Sequence, residues 1–279
     1  MFHFKPPLPF MGSKIAMLKR VKEALHSMAF TQAIRKDTIF YDVFGGSGLL
    51  SHYIKQLYPQ NEVIWNDFDN FKERLDNIEK TENLRFRLHN LCKDYSTKIK
   101  LPQEIIDKIK QILEQEQYLD LTTLSSYLCF AGNYAITKEQ LFNNIKYHRI
   151  PAKPLNAKGY LRGVMRVSKD FKQLLEEIPQ EEKDKQQAFL ILDPPYLQTQ
   201  KGNYRDFYTL KDFCLLVENI FKPYLFFSSK NSDILPFIDF YKKYNPVFED
   251  YKIDKASLKI GGEDYMICSS TQTGLFDSL

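Results

Sequence analysis

The sequence predicts an α/β fold, a mostly parallel sheet interrupted by an inserted, largely helical domain. Three observations carry this expectation. Apolar runs of strand length recur with helical segments between them. A glycine-rich turn follows the first run. Residues 73–162 contain few strand-like runs.

Thr38–Val43 (TIFYDV) is the first run. Leu49, Leu50, Tyr53, Ile54 and Leu57 then fall on one helical stripe, and Glu62–Asn66 (EVIWN) is the second run. Strand, helix and strand over so short a span form a βαβ unit, which requires parallel pairing. Further on, Gln103–Gln117 places Ile105, Ile106, Ile109, Ile112 and Leu113 on one face with charge opposite, an amphipathic helix. Glu181–Lys185 (EEKDK) reads as a solvated loop. Ala188–Leu192 (AFLIL) is wholly apolar, as a strand buried on both faces must be. Pro223–Ser228 and Asp264–Ser269 supply later strands. The expected division is 1–72 with 163–279 for the sheet domain and 73–162 for the insertion.

The chain has 279 residues, 43% hydrophobic and 27% charged. That balance excludes a disordered or collagen-like chain. A chain this long buries roughly 75% of its unfolded surface, so no disulfide or metal staple is needed. No apolar run approaches the roughly 20 residues that span a bilayer. MFHFKPPLPF carries three prolines and no apolar signal core, so no secretion signal is expected. Cys92, Cys129, Cys214 and Cys268 show no metal-ligand spacing and read as reduced thiols of a cytoplasmic protein. No metal site is expected.

Net charge is only +4, but it is unevenly placed. Residues 129–166 hold Lys138, Lys146, Arg149, Lys153, Lys158, Arg162 and Arg166 against one acid, Glu139. Tyr134, Phe142, Tyr147 and Tyr160 are interleaved with them. Basic residues mixed with aromatics suit a nucleic-acid surface; a solvated basic face reads equally well.

Asp42-Val43-Phe44-Gly45-Gly46-Ser47-Gly48 ends the first strand and opens a helix. Glycines at such a turn let a ligand approach the backbone, because no Cβ intervenes. Asp67 closes the second strand, where a carboxylate accepts from ribose hydroxyls. Both NAD and S-adenosylmethionine fit this pattern. Ser51 stands where the dinucleotide fingerprint has its third glycine, which disfavours NAD.

Asp193-Pro194-Pro195-Tyr196 follows the apolar run Ala188–Leu192 directly. Two prolines cannot continue a sheet ladder. They hold an extended backbone at the carboxyl edge of the sheet, the edge that carries the glycine turn. Such a segment suits methylation of an exocyclic amine, whose lone pair is delocalised into its ring. Acceptors on the two amine hydrogens, here the Asp193 carboxylate and the Pro194 carbonyl, draw the nitrogen toward tetrahedral geometry. Tyr196 offers a stacking face worth roughly 1–3 kcal/mol. A base within a duplex reaches such a site only when flipped out. A proline-rich turn without chemistry is the competing reading.

Together these residues resemble the Dam-like D12 class of adenine-specific DNA methyltransferases. Leu8-Pro9-Phe10-Met11-Gly12-Ser13-Lys14 is similar to the family's N-terminal motif, with Phe10 for its usual Trp and Ser13 for a Gly. Asp42–Gly48 resembles its glycine turn, Asp193–Tyr196 matches its catalytic segment, and Val167–Phe171 resembles its strand ending in Asp-Phe. The resemblance implies a Rossmann-like methyltransferase sheet with the insertion as target-recognition domain. It implies S-adenosylmethionine as cofactor, bordered by Phe10, Gly12, Lys14, Phe44 and Gly45, with Asp67 on the ribose and Asp170 and Phe171 at the adenine. Asp42, Gly46 and Gly48 belong to the same expected cofactor site. Asp193, Pro194 and Tyr196 are the implied catalytic residues. The expected activity is site-specific methylation of adenine N6 in double-stranded DNA, and the expected partners are that DNA and a cognate restriction endonuclease. Tyr134, Lys138, Lys146, Arg149, Lys153, Lys158 and Arg162 are the expected DNA-binding residues.

Lys14 also reads as a solvated lysine and Asp170 as a helix cap. Members specific for GATC commonly carry an Arg where this chain has Ala135, and Ala cannot make the bidentate guanine contact. GATC is therefore not the expected target. Methylation of cytosine N4 or of an RNA guanine, and a DNA-binding relative without catalysis, are the alternatives.

Overall fold

The computed structural model describes residues 5–130, 133–195, 208–229, 234–257 and 263–269. Strands β1 (Ile39–Asp42), β2 (Glu62–Asn66), β3 (Met165–Val167), β4 (Ala188–Leu192), β5 (Tyr224–Ser229), β6 (Lys252–Ser257) and β7 (Glu263–Ser269) form one sheet. Its order is β3-β2-β1-β4-β5-β7-β6. The first five of these pair in parallel, and β7 runs antiparallel to both β5 and β6. From β1 the chain winds outward to β2 and β3, then returns to β4 on the other side of β1. The strand order therefore reverses between β1 and β4, where a crevice opens at the carboxyl ends.

Eleven α-helices lie within the described residues: α1 (Leu18–Phe30), α2 (Leu49–Leu57), α3 (Phe71–Asp76), α4 (Ile78–Cys92), α5 (Gln103–Glu114), α6 (Leu121–Leu128), α7 (Lys138–Asn144), α8 (Phe171–Glu177), α9 (Gln180–Asp184), α10 (Leu210–Asn219) and α11 (Ile234–Tyr241). Successive strand residues point to opposite faces. Phe189 and Ile191 of β4 meet α1 and α2 through Leu25, Leu50 and Ile54. Leu190 and Leu192 meet α8, α10 and α11 through Leu174, Leu216 and Ile238. Each fully buried side chain of this kind contributes about 1.5–3 kcal/mol. That two-sided burial is why β4 reads as an unbroken apolar run.

No strand occurs between Asn66 and Met165 among the described residues. Helices α4–α7 gather a separate core that includes Leu88, Ile109, Leu113, Leu128 and Leu141. A smaller cluster of Leu8, Trp65, Phe71 and Tyr160 joins the sheet edge to the returning chain. No helix among the described residues is long and apolar enough to cross a membrane.

Glu181–Lys185 departs from its expected loop. Residues Gln180–Asp184 form a short helix whose first turn carries Glu181 and Glu182, where acids favour a helix N-terminus. Glu182 also accepts a hydrogen bond from the Tyr41 hydroxyl at 2.8 Å.

Candidate active site

The glycine turn leaves β1 and the Asp-Pro-Pro segment leaves β4, so the two meet where the strand order reverses. Between them lies a cavity of about 310 Å³. Phe10, Gly12 and Lys14 form one wall, Phe44, Gly45 and Gly46 another, and Asp170 with Phe171 a third. Asp193 and Pro194 also line it, whereas Tyr196 lies outside the described residues.

Lys14 is not a solvated lysine. Its side chain is only 4% exposed, and Nζ lies 2.8 Å from Asp193 Oδ2 while donating to the Gly12 carbonyl at 2.8 Å. Burial pushes the Asp193 carboxyl above the usual carboxylate range, and Lys14 opposes that shift. The N-terminal motif and the Asp-Pro-Pro segment are thus one electrostatic unit.

The turn's glycines answer to packing. A Cβ on Gly45 would stand 2.2 Å from Trp65 Cδ1. Gly46 has φ of +45°, and a Cβ there would stand 2.7 Å from the Phe10 ring. Gly48 is not on the cavity wall. It precedes α2 with φ of +72°, where a side chain would meet Leu161 at 2.7 Å.

Two expected cofactor acids also face elsewhere. Asp67 is fully buried; its carboxylate accepts from the backbone N–H groups of Phe71 at 2.6 Å and Lys72 at 3.0 Å, and from Arg166 Nε at 2.7 Å. It anchors the start of α3 and does not line the cavity. Asp69, two residues on, is the acid of this loop that does. Asp42 turns toward α2, accepting from Ser51 N–H at 3.2 Å and Ser51 Oγ at 2.6 Å.

Burial pushes Asp42 up to about 7, the nearby Asp193 charge adding to the effect and Ser51 opposing it. The folded chain therefore holds a proton that the unfolded chain has released, and stability falls as pH rises from about 4 to about 7. Asp42→Asn is expected to reduce that fall, as measured by thermal melts across this range; an unchanged profile would place the titration elsewhere.

Asp170 both lines the cavity and caps α8, accepting from Lys172 N–H at 2.9 Å. Phe171 lies 5.3 Å from Phe44 and 5.9 Å from Tyr208, ring to ring, and Phe44 meets Tyr208 edge-on at 6.0 Å. The sequence reading missed Tyr208, which no motif marks. Tyr208 Oη here and Ser13 Oγ beside Gly12 both belong to cavity-lining residues and are buried with no hydrogen-bond partner among the described residues. Aromatic faces, unsatisfied hydroxyls and a carboxylate fit a ligand that carries a nucleobase and polar arms.

The basic window divides. Lys138, Lys146, Arg149, Lys153, Lys158 and Arg162 are all exposed, and Tyr134 is half-buried. Tyr160 is not a surface aromatic: it is buried, donates to the Ser47 carbonyl at 2.9 Å and packs on His52 at 4.6 Å. Ala135 is buried too, its N–H held by Ser125 Oγ at 2.9 Å.

Comparison with known proteins agrees with this architecture. The chain is 35% identical to a Haemophilus influenzae protein named "Putative methyltransferase", over an alignment covering 94% of this chain and 90% of that one. Residues 10–245 match the D12 class N6 adenine-specific DNA methyltransferase family. That span begins at Phe10 on the cavity wall and takes in the glycine turn, the insertion and the Asp-Pro-Pro segment, so the match is to the whole arrangement. With its seven-strand, mostly parallel, Rossmann-like sheet, the chain belongs to the D12 class of N6 adenine-specific DNA methyltransferases.

Proposed function

We propose that the protein is a site-specific methyltransferase acting on N6 of adenine in duplex DNA, with the target base flipped from the helix. The observation that carries this reading is the shared cavity: the Asp193-Pro194 segment and the glycine turn open onto the same space. S-adenosylmethionine supplies an electrophilic sulfonium methyl when bound there. Phe44, Phe171 and Tyr208 grip its adenine, Asp69 rather than Asp67 takes its ribose, and Phe10, Gly12 and Ser13 border its methionine end.

Asp193 would accept a hydrogen bond from one N–H of the target amine through its carboxylate, and the Pro194 carbonyl from the other; on transfer the sulfur would leave as a neutral thioether and the methylated nitrogen would shed its surplus proton to solvent by way of the Asp193 carboxylate. Both contacts turn the nitrogen lone pair out of the ring plane. Lys14 opposes the push of burial on the Asp193 carboxyl and fixes its orientation. Tyr196 stacks on the flipped base and offsets part of the unstacking cost of a few kcal/mol.

Residues 73–162 serve as the target-recognition domain, with Lys138, Lys146, Arg149, Lys153, Lys158 and Arg162 facing the phosphates. A buried Ala135 cannot make the bidentate guanine contact, which supports a recognition site other than GATC. Neutralising Lys153 and Lys158 to Gln is expected to weaken DNA binding without changing sequence preference. The salt dependence should flatten by about 0.9 per lost phosphate contact. An unchanged slope would remove these lysines from the interface.

Transfer of labelled methyl from S-adenosylmethionine to unmethylated duplex DNA, followed by mass analysis of the nucleosides, tests the function directly. N6-methyladenine is the expected product. N4-methylcytosine, or incorporation into RNA alone, would overturn the substrate. Binding of DNA without binding of S-adenosylmethionine would overturn the enzyme.

A further inference from the structure

Arg74 lies on α3, outside the cavity wall, yet it reaches two parts of the molecule at once. Its Nη2 donates to the Pro9 carbonyl at 2.8 Å and to Thr123 Oγ1 at 3.3 Å. Its Nε donates to Asp120 Oδ1 at 3.1 Å, and its guanidinium carbon stands 4.9 Å from the centre of the Phe71 ring.

Each partner leads somewhere. Pro9 precedes Phe10, which lines the cavity, meets Phe71 edge-on at 5.7 Å and occupies the space beside Gly46. Asp120 is buried and caps α6, accepting from Thr123 N–H at 3.1 Å and Thr123 Oγ1 at 2.7 Å. The far end of α6 holds the basic segment by its backbone. Leu128 O accepts from Lys146 N–H at 3.0 Å, and Tyr127 O accepts from Arg149 N–H at 2.7 Å. Helix α3 itself is fixed to the end of β2 by Asp67, which accepts from Phe71 N–H at 2.6 Å and from Lys72 N–H at 3.0 Å.

We infer that Arg74 is a positioning residue coupling the DNA-facing insertion to the cofactor cavity. The inference rests on the function proposed above. DNA that engages Lys146 and Arg149 bears on α6 through two backbone hydrogen bonds. Helix α6 bears on Arg74 through its buried cap, and Arg74 holds Pro9 and hence the Phe10 wall. A planar guanidinium presents Nε to Asp120 and Nη2 to Pro9 from two fixed positions; an ammonium gathers its donors on one atom and loses that fixed geometry.

The test is calorimetric titration of S-adenosylmethionine into the full chain, alone and with a saturating linear unmethylated plasmid duplex. In the wild type DNA is expected to tighten cofactor binding by about 5- to 150-fold, the usual range of coupling between sites. Arg74→Lys should bring that ratio to within about twofold of unity, with the affinity for each ligand alone kept within about threefold. The double variant Arg74→Met with Asp120→Asn leaves no unpaired buried charge. It should lose the ratio in the same way while keeping the fold, as read by thermal melting. Retention of the wild-type ratio in Arg74→Lys overturns the proposal. So does a wild-type ratio of one when both ligands bind. A wild type that binds neither ligand overturns the functional reading on which the proposal rests.

Discussion

Asp193→Asn is expected to abolish methyl transfer and to destabilise the fold, and the two effects can be separated. The activity loss should be at least about two to three orders of magnitude, the scale found when one positioned hydrogen-bonding group is removed from an active site. The stability loss has a different source. Lys14 is buried and keeps its donation to the Gly12 carbonyl and the attraction of Asp264, but without Asp193 it loses the carboxylate 2.8 Å from its Nζ. Removing one partner of a buried ion pair costs about 3–5 kcal/mol, while replacing both with neutral groups is often neutral. The double variant Lys14→Met with Asp193→Asn should therefore regain part of the lost stability, less what the buried Asp264 forfeits with the Lys14 charge, and still fail to transfer methyl. Thermal melts beside labelled-methyl assays read both effects. Substantial transfer by the double variant would show that Asp193 is not the acceptor on the target amine.

The pairing of Lys14 with Asp193 also shows where sequence reading stops. Both residues were legible as candidates, because each sits in a short segment with stiff backbone or glycine punctuation. Their contact was not, since only the closing of the sheet brings the chain's start to the end of β4. The buried strands were legible for a related reason: Ala188–Leu192 is enclosed on both faces, so its composition alone marks it. Strands β3 and β6 lie at the two edges of the sheet, and Met165, Arg166, Lys252 and Ile253 are exposed. Edge strands are kept short or broken by charge because a long apolar edge invites aggregation: β3 is three residues interrupted by Arg166 and β6 carries Lys252, Asp254 and Lys255, so neither leaves an apolar run to read.

Asp67 turns away from the cavity for a local reason. Counting from the glycine turn leads to Asp67, the first acid after β2, but the start of α3 has orphan N–H groups that take it as a cap. Asp69 is left to the cavity wall. The aromatic cluster was half legible: Phe44 and Phe171 sit in recognisable segments, whereas Tyr208 reaches them only through the fold.

Gly45→Ala should do more harm at the cofactor site than any single methyl added elsewhere in the turn. Its Cβ would lie 2.2 Å from Trp65 Cδ1, 2.7 Å from Trp65 Nε1 and 3.0 Å from the Asn66 carbonyl. None of these can yield cheaply. Trp65 is 2% exposed and wedged with Leu8, Phe71 and Tyr160. Asn66 is locked by donating to the carbonyls of Val43 and Lys169, both at 2.9 Å, and by accepting from Lys169 N–H at 2.9 Å. The turn must therefore move instead, carrying Phe44 off its packing with Phe171 and Tyr208. Overpacking of this kind costs about 1–3 kcal/mol. If about half of it falls on the bound state alone, affinity for S-adenosylmethionine drops by about two- to twelvefold.

Gly159→Ala is the matched control. Its φ of +79° makes any side chain strained, but nothing lies within 4 Å of the added Cβ and the residue does not line the cavity. That variant should lose about 1–2 kcal/mol of stability through its backbone and bind the cofactor as the wild type does. Titration calorimetry with S-adenosylmethionine and thermal melts on both variants make the comparison. Equal loss of cofactor affinity in the two would mean that general destabilisation, and not the Trp65 contact, governs the turn. Loss confined to Gly45→Ala would show that the glycine is there to let the Phe44 wall sit against Trp65, so that packing behind the turn sets the shape of the site in front of it.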